Sequence, residues 1–221
     1  MPLTIEQITA LTELERDALG EIANIAMARA AVSIRQMVGH HVLLSVPAVE
    51  ILPTEAAAQI VGTPDNRILV AVRQDFDGAF SGRALLVFPE TSSLELMRAV
   101  AGRSLSLKEI VESQDELLAE IGNVVLNSWV GTIANLLKRT LPTSLPTVVR
   151  GDGKRIFEVD DSETTYALFV RVRFEINHFQ MRGYVAMLMD IPSIVELRSL
   201  VADFVINVTQ TWDDGQRTRG G

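Results

Sequence analysis

Glu21-Ile22-Ala23-Asn24-Ile25 and Glu120-Ile121-Gly122-Asn123-Val124 are the two stretches on which the reading of this chain turns. Each opens the same pattern: Glu, two residues, Asn, twenty-two residues, Pro. The members are Glu21, Asn24 and Pro47, then Glu120, Asn123 and Pro146, every one displaced by 99 residues. On ordinary residue usage, two independent copies of such a triple arise in roughly one chain in several thousand. A constant offset between similar segments marks an internal duplication. Pairing residues 17–47 with 116–146 also aligns Leu19, Ile22, Ile34 and Ser45 with identical residues, and Gly82 and Ser92 fall opposite Gly183 and Ser193.

Outward from the first copy, Thr12-Glu13-Leu14-Glu15 reads as a capping box that starts a helix. Apolar residues at helical spacing (Leu14, Ala18, Leu19, Ile22, Ile25, Ala26) continue it through Val38, and Gly39 stops it. Small residues crowd this helix, which lets another element pack closely. Residues 42–52 read as a strand interrupted at Pro47, since proline removes a ladder donor. A short helix over 54–62, capped by Thr54 and closed by Gly62, strands over 67–73 and 82–88, and a helix capped by Ser92 or Ser93 and ending at Ala101 complete the first half. The second half repeats the plan. Ser113-Gln114-Asp115-Glu116 reads as another capping box, with a helix to about Arg139. Strands follow near 145–150, 165–176 and 183–189, and Pro192-Ser193 opens a last helix to about Val208. Segments 103–112 and 151–164 read as polar loops. The expectation is one domain, 1–212, built from repeats over about 10–102 and 110–208, with a disordered tail over 213–221. The fold class is α/β in an α+β-like form: a β-sheet carrying long helices, in two halves related by a pseudo-twofold axis.

The 221 residues suffice for one sizeable core, and 48% hydrophobic against 22% charged content suits a chain that folds without staples. With no Cys and three His, thiol catalysis, Cys-based zinc sites and disulfide frameworks are excluded, and no metal site is expected. A net charge of −8 argues against a nucleic-acid surface. The segment MPLTIEQITA lacks the regions of a secretion signal, and no apolar run is read as a membrane span. A cytoplasmic location is therefore expected.

Residues three apart are neighbours on a helix. Glu21 and Asn24 present a carboxylate and a carboxamide side by side, and Asp17, one turn earlier, shares their face; Glu116 holds the matching place in the second copy. A carboxamide both accepts and donates hydrogen bonds, so it can orient an attacking water. A carboxylate can pair with a cation on a partner. A single Glu-x-x-Asn is ordinarily a solvated helix face, and the matched repetition is what raises the functional reading above the bland one. The chain has no Ser-His-Asp set and no P-loop, so much of the machinery for any hydrolysis must come with the substrate.

The motif resembles that of the CheC/CheX/FliY family of chemotaxis phosphatases: Asp or Ser, three residues, Glu, two residues, Asn, twenty-two residues, Pro. Asp17, Glu21, Asn24 and Pro47 match it in full. Glu120, Asn123 and Pro146 match in the second half, where Glu116 stands in place of Asp or Ser. Two copies in one chain are similar to CheC, and Gly82-Arg-Ala-Leu-Leu-Val-Phe-Pro89 adds to the likeness. The resemblance implies a pseudo-twofold α/β fold and a phosphorylated CheY-type receiver as substrate. It assigns Glu21 and Glu120 to anchoring the receiver and Asn24 and Asn123 to placing the water, with Asp17, Pro47, Glu116 and Pro146 as supporting positions. It implies no cofactor in this chain, with Mg2+ carried by the receiver, and CheD as a further partner. Non-catalytic adaptors for a receiver or CheD, and structural relatives in the flagellar switch, are the alternative readings. The shortness of the chain after the second repeat disfavours the switch.

Overall fold

Thr12 starts the first long helix as its capping box predicts: its side chain accepts from the Glu15 amide, and the Glu15 carboxylate accepts from the Thr12 amide at 2.7 Å. This is helix α1 (Glu13–Val38), closed by Gly39 in the left-handed conformation at φ 70°, which costs a glycine little. The computed structural model describes residues 4, 7, 10–63, 68–101, 107–159, 165–176 and 179–217. In chain order the elements after α1 are β1 (Val42–Pro53), α2 (Thr54–Val61), β2 (Leu69–Phe76), β3 (Gly82–Pro89), α3 (Glu90–Ala101) and α4 (Leu107–Glu112). There follow α5 (Gln114–Leu136), β4 (Thr147–Gly151), α6 (Gly153–Ile156), β5 (Tyr166–Ile176), β6 (Phe179–Met189) and α7 (Ile191–Arg217).

The six strands form one antiparallel sheet in the order β1-β5-β6-β3-β2-β4. Exchanging the halves, β1 for β4, β2 for β5 and β3 for β6, turns this order into its own reverse. The duplication read from the 99-residue offset is thus present in the topology. The halves are also interleaved, because β1 pairs with β5 and β4 with β2.

Alternation along the strands divides the core in two. Val70, Val72 and Phe76 of β2, Leu86 and Phe88 of β3, and Leu168, Val170 and Val172 of β5 join one cluster with α1 and α5, where Ile22, Ala26, Ile121, Val125 and Trp129 are fully buried. Ala71, Leu85, Val87, Phe169 and Ala186 point the other way and pack with α2 and the α6 region around Ala57, Ala58, Ile156 and Phe157. Each fully buried large apolar side chain stabilises this arrangement by about 1.5–3 kcal/mol. Helix α5 comes close to the sheet at Gly122, where an added Cβ would lie 2.4 Å from the Cβ of Val72.

Several local expectations are corrected. The Ser113 side chain makes no capping bond and its ψ is 7°, because α4 runs almost directly into α5; the second capping box is not formed. Helix α5 ends at Leu136 rather than near Arg139, and Lys138 turns the chain at φ 54°. By length and composition α5 could cross a membrane, with a mean hydropathy of 1.3 in its most apolar window, contrary to the expectation of no such stretch; here it is a core helix. Helix α3 begins at Glu90, ahead of both serines, and buried Ser93 bonds back to the Glu90 carbonyl at 2.7 Å. Helix α2 begins at Thr54 without a side-chain cap, its hydroxyl lying 3.1 Å from that of Thr165. Helix α7 reaches Arg217, beyond the expected end and into the segment expected to be disordered; residues 218–221 lie outside the described residues. The expected loops contain α4 and α6, and residues 102–106 and 160–164 lie outside the described residues.

Candidate functional site

Asp17, Glu21 and Asn24 are exposed together on α1, while Leu19, Ile22, Ala23 and Ala26 turn inward. The spacing of four and then three residues produces this: one helix face is used for the core and the next is left to solvent. On α5, Glu116 and Glu120 are exposed and Asn123 is half-buried, with Ile121, Gly122 and Val125 beneath them. Among the described residues none of these four carboxylates makes an ion pair or hydrogen bond, and neither does the Asn24 amide. Each half thus offers an unengaged carboxylate one turn from a motif asparagine.

The two asparagines differ. The Asn123 Oδ1 accepts from Gln74 Nε2 at 3.1 Å and from Asn127 Nδ2 at 2.8 Å. Gln74 is buried in β2, and its Nε2 also donates to the Ser144 carbonyl at 3.0 Å. Thr143 donates to Asn127 at 3.2 Å. The segment that leads through half-buried Pro146 into β4 is therefore tied to the motif asparagine through Gln74. The close approach of α5 at Gly122 is what brings the next residue, Asn123, within reach of β2. By register the counterpart of Gln74 in the second half is Val170: Gln74 faces Ala84 and Val170 faces Val185, and Ala84 and Val185 share the 101-residue offset of Gly82 and Gly183. Valine offers no donor, and Ala28 stands in place of Asn127. The helix that carries Asn24 also lies against β1 rather than against β5, so the first site lacks the clamp.

Pro47 falls where expected, at an interruption of β1. The register with β5 slips between Ser45 and Ala48, leaving Pro47 exposed at the bulge. It lines a pocket with Arg171, Arg173 and Arg182. Sequence reasoning missed Gln74, Asn127 and these arginines. Gln74 left a signal: in Leu69-Val70-Ala71-Val72-Arg73-Gln74 it falls on the parity of Val70 and Val72, where a buried face expects an apolar residue.

Charge is organised around the sites. Arg150 of β4 holds Asp115, in the first turn of α5, at 2.5 Å and lies 3.6 Å from Glu90. The hydrogen bond from Arg150 keeps the Asp115 carboxyl below the usual range against the opposing effect of burial, and the same bond raises the Arg150 guanidinium. At the start of α1, burial pushes the Glu15 carboxyl up, but bonds from Arg198 and Thr12 outweigh it and leave it lowered; Arg198 Nε lies 3.0 Å away. A ring of charges joins Arg73, Arg83 and Asp75 of the sheet to Glu158, in the turn after α6.

Residues 14–51, which span α1 and β1 and so carry Asp17, Glu21, Asn24 and Pro47, match the CheC-like family. The chain is 27% identical over 149 residues to the flagellar motor switch phosphatase FliY of Bacillus subtilis (strain 168), covering 65% of this chain and 38% of that protein. It is 22% identical over 141 residues to the CheY-P phosphatase CheC of the same organism, covering 62% of this chain and 67% of that one. The chain therefore spans well under half the length of the FliY relative and about two thirds of the CheC relative. Its fold is similar to the crystal structure of Thermotoga maritima FliY, with a TM-score of 0.69 at 20% identity over 88% of this chain and 99% of that one. The resemblance to the CheC/CheX/FliY family is thus borne out by a family match over α1 and β1, by two curated relatives and by a similar solved fold.

Proposed function

We propose that the chain is a phosphatase for the aspartyl phosphate of a CheY-type receiver in chemotaxis signalling. The observation that carries this reading is the pair of exposed motif faces: an unengaged Glu and an Asn one turn apart on each of two twin helices, in a chain whose relatives bear phosphatase names. Glu21 and Glu120 would anchor a cation of the receiver beside its phosphoryl group. Asn24 and Asn123 would orient the attacking water. The water oxygen bonds to phosphorus, the bond to the aspartyl oxygen breaks, and the products are inorganic phosphate and a free carboxylate. Positioning supplies most of the catalysis in phosphoryl transfer, so a single amide with one anchor is a sufficient contribution from this side. The divalent cation belongs to the phosphorylated receiver and enters as part of the substrate; CheD is proposed only as an additional partner.

We infer that the two sites differ in readiness. The Asn24 amide is free among the described residues, whereas both lone pairs of the Asn123 oxygen are taken by Gln74 and Asn127. Releasing one neutral hydrogen bond costs about 0.5–1.5 kcal/mol, which is about two- to tenfold in rate. Site one is therefore the faster site. The test is phosphate release from a phosphorylated CheY-type receiver with the wild-type chain, Asn24→Ala, Asn123→Ala and the double variant, each checked for folding by circular dichroism. The double variant should release phosphate no faster than the receiver alone. Full activity of that variant would refute the assignment.

A further inference from the structure

On the sheet face away from α1, at the β1 end, a pocket of about 310 Å³ is lined by Pro47, Ile60, Arg171, Arg173, Arg182 and Tyr184. Arg171 and Arg173 are two residues apart on β5 and so share a face. Arg182 of β6 stands directly opposite Arg173, and Tyr184 directly opposite Arg171. Directly opposed like charges destabilise a sheet, and this pair sits in a chain of net charge −8. The nearby carboxylates do not balance it. Glu50 pairs with Arg171 at 3.1 Å, and Glu175 accepts from Gln180 at 3.0 Å and lies outside the lining. Among the described residues Arg173 and Arg182 have no ion-pair partner and the Tyr184 hydroxyl no hydrogen bond; the Arg171 Nε is buried without one. The other half provides the contrast. On the same face there, Arg73 and Arg83 are met by Asp75 and Glu158 in a closed two-by-two network.

We propose that this pocket is an anion site that binds a phosphate-class dianion, either free phosphate or a phosphomonoester. Guanidinium forks match tetrahedral oxyanions with paired N–H donors, and here two forks face each other across one strand pair with a third beside them. The Tyr184 hydroxyl adds a donor on the same wall, and the stacking of its ring on Phe169, at 5.2 Å between centroids, holds it in place. A dianion placed between Arg173 and Arg182 removes their repulsion and gives the Arg171 Nε a partner. The pocket shares Pro47 with the first motif, but it lies on the sheet face away from the Glu-x-x-Asn helices and does not depend on the phosphatase reading.

The experiment is calorimetric titration of the full chain with inorganic phosphate and, separately, glucose 6-phosphate, at fixed ionic strength so that general screening is constant. Saturable binding is expected. Arg173→Gln should weaken it about tenfold, and Arg173→Gln with Arg182→Gln should abolish it while the thermal midpoint of the free protein holds or rises, since a like-charge pair is removed. Glu50→Gln frees Arg171 and should tighten binding, a gain that misfolding does not produce. Tighter binding of glucose 6-phosphate than of phosphate identifies a phosphomonoester as the ligand; the reverse order identifies free phosphate. Absence of saturable binding, unchanged affinity in the double arginine variant, or loss of binding in Asn24→Ala with Asn123→Ala would each overturn the proposal.

Discussion

Asn123→Ala and Asn24→Ala, the same substitution at twin positions, should have unlike effects on stability. Gln74 is 1% exposed and its Oε1 already lacks a partner among the described residues. Its amide nitrogen has two donors, one spent on Asn123 and the other on Ser144. Removing the Asn123 carboxamide leaves one buried N–H unsatisfied, at a cost of about 1–3 kcal/mol. The better helix propensity of alanine returns up to about 0.7 kcal/mol. The net loss is then about 0.5–2 kcal/mol. Asn24 is exposed and carries no such duty, so Asn24→Ala should lie within about 0.5 kcal/mol of wild type, on the stabilised side. At about 2–4 °C per kcal/mol for a domain of this size, the two midpoints should be several degrees apart. Urea and thermal denaturation of both variants measure this. Gln74→Val, which copies Val170 of the other half, should rescue Asn123→Ala, because removing both partners removes the penalty. Equal midpoints for the two alanine variants, or no rescue by Gln74→Val, would refute the clamp.

In the phosphatase assay, Asn24→Ala should remove most of the rate and Asn123→Ala less than half, and Gln74→Val in an Asn24→Ala background should raise the remaining rate by about two- to tenfold. Gly122→Ala drives a methyl into the Cβ of Val72 and should cost about 1–3 kcal/mol by urea denaturation, with site two losing activity before site one. Glu15→Gln keeps the capping geometry but removes the charge that faces Arg198. Because the folded-state pKa of Glu15 is lowered, its contribution is present above the unfolded pKa and disappears as pH falls through the folded one. The stability gap between wild type and Glu15→Gln should therefore be widest near pH 7 and close below about pH 4. Glu116→Asp should leave thermal stability unchanged, since no cap is formed there; a loss of about 1 kcal/mol would restore the capping role.

Much of this architecture was legible because local signals agreed with each other. Thr12, Glu15 and Gly39 delimit α1 at both ends, and Pro47 marks the bulge in β1. The constant 99-residue offset anticipated a symmetric sheet. The failures have a common physical form. Ser113-x-x-Glu116 satisfies the sequence rule for a capping box, but that rule presumes an extended residue at the cap, and the preceding helix α4 removes it. The clamp on Asn123 is tertiary: it depends on a glutamine of β2 that meets α5 only because Gly122 allows the approach. The arginines of the pocket come from two strands that each read as ordinary alternation, and only their register opposes Arg173 to Arg182.

The interleaved strand order has a consequence for synthesis. Strand β1 is complete at residue 53, but its hydrogen-bonding partner begins only at Tyr166. At roughly 5–20 residues per second, the ribosome leaves the first repeat waiting on the order of 6–20 s with a bare strand edge. No rearrangement within that repeat supplies the partner, because in this topology each half lends its first strand to the other. A polysome carrying many such nascent chains holds many identical unpaired edges close together, and the partner that ends the exposure in one chain is equally offered by its neighbour. Arrest of translation between residues 53 and 166 withholds β5 from every chain, so the bare β1 edges should associate with one another, while the completed chain closes on itself.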